Sequence, residues 1–141
     1  MAPSSKLPVK TSVHRHPAAK PEKPVKSEPF LSVYFSRALH RKVLLVLDAL
    51  EESPNPEQHR DALSAVVVEL MNAGMEYCFM KPLKLAKPGF IIQQSANLGM
   101  SGALQVLGSV IRNIIGRMDK HQLLSVCGSI RHLMRTEMRV D

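Results

Sequence analysis

Large aromatic side chains are scarce in this sequence: it has no Trp, two Tyr and four Phe, 4% in all. A core without rings has to be filled by aliphatic and methionine side chains. That suits helices packed on helices better than a β-sandwich. The same scarcity removes the stacking platforms on which single-stranded nucleic acids lie. Cysteine is scarcer still. Cys78 and Cys127 are too few and too far apart for a disulfide framework. Both fall in apolar helical contexts, so buried, reduced, inert thiols are expected.

Catalytic and metal signatures are missing as well. There is no His-Glu-x-x-His and no Cys-x-x-Cys. Nor is there the Glu-x-x-His pair that places two ligands one turn apart in a di-metal helical bundle. Glu69 and Glu76 share a helical face, but on a polar stripe that solvent should cover. His121 and His132 stand three turns apart, about 16 Å, too far for one ion. Gly-x-Ser-x-Gly, Walker and dinucleotide fingerprints are absent. Gly99-Met100-Ser101-Gly102 looks like a glycine loop, but no Lys-Ser/Thr follows it and no strand precedes it. An enzyme is not expected, and neither a cofactor nor a metal site is anticipated.

The N-terminus has no apolar core of signal-peptide type, and its single Arg and many prolines do not suit a transit peptide. A cytoplasmic location is the expectation. The longest stretch without charge, Pro88 to Ile111, has membrane-spanning length. Gln93, Gln94, Ser95, Asn97 and Gln105 inside it, and Pro88-Gly89 at its start, argue against a transmembrane helix but not against contact with a membrane.

What is present divides the chain in two. Residues 1–28 hold six Lys/Arg against two Glu, so they supply +4 of the net +7. Frequent prolines and few apolar residues predict a disordered basic tail with polyproline II character near Lys20–Lys26. Such a tail could add salt-sensitive affinity for a polyanion, nucleic acid included. His14 and His16 lie within it and carry no metal motif. Residues 29–141 are only mildly basic and 45% of the whole chain is apolar, enough for a real core.

Apolar periodicity across 29–141 predicts an all-α fold, a four-helix bundle or an orthogonal helical domain. The first helix should run from Pro29 to Glu52, with Phe35, Leu39, Val43, Leu47 and Leu50 inward and Leu44 and Leu45 widening the arc. Ser53-Pro54-Asn55-Pro56 should end it and cap a second helix to Met80, with Asn55 as N-cap and Pro56 in the first turn. Leu63, Val66, Val67, Leu70, Met71, Gly74, Tyr77 and Cys78 make that helix's apolar face. Lys81 to Gln94 reads as a loop because two prolines and a glycine interrupt it. A third helix should start near Ser95 or Asn97 and end around Gly116. Asp119 and Gln122 form a capping box for a fourth helix to Met138, with Leu123, Cys127, Ile130, Leu133 and Met134 inward. Arg131, Arg135 and Arg139 step along its side.

The third helix organises the functional reading. Beside its broad apolar face lies a flank of small residues, and each interior glycine costs about 1 kcal/mol of helix propensity. Close approach of another helix would offset that cost, within the domain or between subunits. The expected function is a non-catalytic protein-interaction module, a homodimer that self-associates through Gly99, Gly102, Ala103, Val106, Ser109 and Val110. The alternative is a peripheral membrane or apolar-ligand binder. There Lys81, Lys84 and Lys87 would meet an anionic membrane surface while Leu83, Leu85 and Phe90 insert.

Overall fold

The computed structural model describes residues 28–134 and is all-α over them. The predicted tail, with Lys20–Lys26, His14 and His16, lies outside the described residues, as do Arg135, Arg139 and the expected helix end at Met138. The chain forms two compact units, 1–31 and 32–141. Of the first, residues 28–31 are described, and they are non-helical. The second carries every helix of the described residues.

Helix α1, Arg37–Glu52, starts later than the periodicity suggests. Ser36 stays extended and its hydroxyl accepts from the Leu39 amide at 3.1 Å, an N-cap that fixes the start. Val43, Leu47 and Leu50 are buried, whereas Leu45 is exposed. Pro56–His59 form a 3-10 turn that leads into α2, Arg60–Met75. Asn55 holds the cap position without a side-chain bond; its own amide donates to Ser53 Oγ at 3.1 Å.

The second helix does not stop at Met80. A π-turn, Glu76–Met80, and a short helix α3, Lys81–Leu85, carry it on, so Pro56–Leu85 is one rod of 30 residues. Pro82 has no amide to donate, and its ring would press on the carbonyl of the preceding turn in a regular helix. The wide turn just before it, in which the Lys81 amide bonds back to Glu76, relaxes that crowding. The expected long loop therefore shrinks to residues 86–89. Lys87 takes a left-handed φ of 51° there, and Gly89 caps α4, Phe90–Ile115. α4 thus begins a turn and more before Ser95, because Pro88-Gly89 is a helix entry rather than an interruption.

Helix α5, Lys120–Leu133, opens on the predicted capping box: Asp119 accepts from the Gln122 amide and Gln122 from the Asp119 amide, both at 2.9 Å. Leu123 and Cys127 are buried, but Leu133 is exposed.

Leu63 and Val66 near the start of the long rod share a core with Ile115 at the end of α4, so rod and α4 form an antiparallel hairpin. Val43, Leu47 and Leu50 of α1 and Leu123 and Cys127 of α5 complete that core at the hairpin's base. Each fully buried leucine contributes roughly 2–3 kcal/mol. Beyond the base the hairpin is thinly covered: from residue 71 to 107 only Met80 is buried. Here Met71 and Cys78 are exposed, which corrects the expectation that both face inward. The rod outlasts the helices that could cover it.

Candidate functional site

Three polar contacts hold the base in register. Arg131 on α5 forks onto α1: its Nε and Nη2 donate to the two oxygens of Glu51, each at 3.0 Å, and Nη2 also donates to Asp48. Hydrogen bonds to Glu51 and then Asp48 push the guanidinium's pKa further up. Lys42 pairs with Glu69 at 2.8 Å, leaving Glu69 Oε2 without a partner. Arg60 Nε donates to the Met118 carbonyl at 3.0 Å, tying the rod to the turn before α5. These are structural ties, mostly half-exposed, each worth little alone.

Cys127 lies beside this cluster with no exposure. Burial, helped by the nearby Glu51 carboxylate, raises its thiol from an ordinary 9.0 to about 11. That thiol is buried, as expected, whereas Cys78 is exposed. Among the described residues no three His, Cys, Asp or Glu gather as metal ligands. His121 and His132 are both exposed.

Two surfaces remain. The first is the outer side of α4. Its inner stripe, Met100, Leu104, Leu107, Ile111 and Ile115, is partly or fully covered, and Gly108 is buried with it. Gly99, Gly102, Ala103, Val106, Ser109 and Val110 all face solvent. A Cβ added at Gly99 or Gly102 would meet nothing within 4 Å. Among the described residues, therefore, no helix lies against the small flank. The glycines differ among themselves: at Gly116 a Cβ would sit 2.8 Å from the Arg112 carbonyl, so there the absence of a side chain is required. Around the open flank Leu98 (70% exposed), Val106 (67%), Ile114 and Val110 form an apolar stripe.

The second surface is the hairpin's turn end. Lys81, Lys84 and Lys87 are exposed there, with Leu85 (75%) and Phe90 (79%); Leu83 is half-buried. Phe79, Ile91 and Ile92, which periodicity does not single out, are exposed beside them. The sequence does hold a signal for this end: no Asp or Glu occurs between Glu76 and Asp119, while Lys81, Lys84 and Lys87 all fall at the turn.

Next to the turn end lies an open groove of about 490 Å³ between the residues before α1 and the end of the long rod. Tyr34 and Tyr77 meet edge to face at 5.7 Å, and Lys81 Nζ stands 5.9 Å from the Tyr77 ring centre. Glu76, Lys81 and Lys84 line it too, so its walls carry both signs of charge. Periodicity puts Tyr77 in the core; the π-turn sets it on the groove instead.

The long rod and α4 are each long and apolar enough to cross a membrane, with little of either buried. Glu69 and Glu76 on the rod would be costly in a bilayer interior. No protein-family model, no curated protein and no solved structure matches the chain.

Proposed function

We propose that this protein is a non-catalytic helical interaction module that pairs with a second copy of itself through the open face of α4. The observation that carries the reading is the exposed stripe of Leu98, Val106, Val110 and Ile114, interleaved with small residues, on a helix about 39 Å long. The stripe itself runs about 24 Å, from Leu98 to Ile114, and large apolar side chains left wet in a row mark an interaction surface. A second copy is favoured over an unrelated partner by charge. The chain carries +7 and would repel itself across most faces. Phe90 to Ile111 contains no charged residue at all, so two copies meet there without like charges opposed. Gly99 and Gly102 let the two backbones approach, which offsets the helix propensity they sacrifice.

The test is mass in solution. Light scattering coupled to sizing should give about twice 15.7 kDa for the native chain and a single-chain mass for Val106→Asp. Val106 does not contribute to the intrachain core, so the variant should keep its helical circular dichroism. A single-chain mass for the native protein at every concentration would overturn the proposal.

A further inference from the structure

The turn end of the hairpin has a chemistry of its own, and we propose that it docks on an anionic lipid bilayer. This does not rest on self-association, which is assigned to Leu98–Ile114, further along α4 from the turn. Three lysines, Lys81, Lys84 and Lys87, converge on a connection only four residues long, and among the described residues none of them is in an ion pair. The nearest carboxylate in sequence, Glu76, stands on the neighbouring groove, and none follows until Asp119. With three lysines against the one carboxylate of Glu76, the end keeps a net positive charge, complementary to a negatively charged leaflet.

Leu85, between the lysines, and Phe90 and Ile91, just after them, are each at least three-quarters exposed. Three large apolar side chains so open at one turn bury little surface among the described residues, and side chains of this kind are the ones that interfacial elements sink among lipid headgroups. Lysine stems can lie along such an apolar wedge while their ammonium groups reach the phosphates. Shape decides between a bilayer and an acidic protein. The end of a two-helix hairpin is narrow, about two helix diameters wide. A stable protein partner needs a broader patch, on the order of 800 Å² per side, whereas a fluid headgroup layer closes around a point.

The experiment uses the full chain and extruded vesicles, phosphatidylcholine alone or mixed with phosphatidylserine. Cys78 is exposed and Cys127 buried, so a polarity-sensitive fluorophore can be placed on Cys78 alone, near the turn end. Sedimentation with the mixed vesicles and a blue shift of the label are expected, with neither on phosphatidylcholine alone. Lys81→Gln with Lys84→Gln and Lys87→Gln should lower partitioning about a hundredfold, near fivefold per lysine. Phe90→Ser with Ile91→Ser should abolish the blue shift while leaving the helical signal intact. The basic residues 1–28 would also attract anionic vesicles, but that attraction would survive both sets of substitutions. Binding unchanged in the variants would therefore overturn the proposal. So would no binding to vesicles with binding to polyglutamate, which would assign the lysines to an acidic protein. Val106→Asp, which tests the dimer, should leave vesicle binding in place.

Discussion

Replacing Gly99 and Gly102 together by alanine should move two measurements in opposite directions. Both glycines lie well inside α4, and a Cβ at either meets nothing within 4 Å. Folding of the single chain should then gain only helix propensity, about 1 kcal/mol per site and roughly 2 kcal/mol for the pair. For a domain of this size that is a rise of about 5–10 °C in the thermal midpoint. Association should weaken instead. In the proposed dimer two methyl groups at these positions would hold the helices apart and loosen the contacts of Val106 and Val110 next to them. Losing about 1.4 kcal/mol of contact raises the dissociation constant tenfold. Urea unfolding followed by circular dichroism, at protein concentrations low enough for single chains, gives the first quantity. Sedimentation equilibrium gives the second. Gly116→Ala is the control: its Cβ would stand 2.8 Å from the Arg112 carbonyl, so it should destabilise the fold at the end of the same helix where the other two stabilise it. A lowered stability for the double variant would refute the reading of that flank as open. Raised stability with unchanged association would refute its role as the contact.

Two further expectations concern the base of the hairpin. The Cys127 thiol ionises near pH 11 in the fold, against an ordinary 9.0, so folding favours the protonated form. Its contribution is complete below pH 9 and is lost as pH rises through 11, with each tenfold change in the ionisation equilibrium worth about 1.4 kcal/mol. Urea midpoints that stay level from pH 8 to pH 11 would contradict this. At neutral pH a thiol reagent should modify Cys78 at once and Cys127 only on unfolding. Arg131→Met should cost about 1 kcal/mol, because its partners are one-third to one-half exposed. It also leaves Asp48 and Glu51 facing each other one turn apart, and added salt should shrink the loss; a salt-independent loss would show that the arginine stabilises through its aliphatic stem instead.

Sequence by itself determined the all-α class, the position of the core and the two best-marked boundaries. Leu47, Leu50, Leu63 and Leu123 recur at helical spacing, and a buried leucine declares itself by period. The Asp119–Gln122 box and the Ser53–Pro56 break are local chemistry, complete within four residues, so no distant contact could alter them. The rest needed tertiary structure. Pro82 resembles a helix end because proline is costly in a regular α-helix; a π-turn one step earlier relieves the cost and makes one rod in place of a loop. Periodicity marks which residues lie on one face of a helix, not how many neighbours the fold has to cover that face. Cys78, Met71 and Leu133 are apolar at inward spacing and yet exposed, because α1 and α5 cover only the hairpin's base. For the same reason the flank of Gly99 and Gly102 lies open. The connection from Ala86 to Gly89 gathers Lys81, Lys84, Lys87 and Phe90 at one end, because two rods long enough to outrun their partners must expose the turn that joins them.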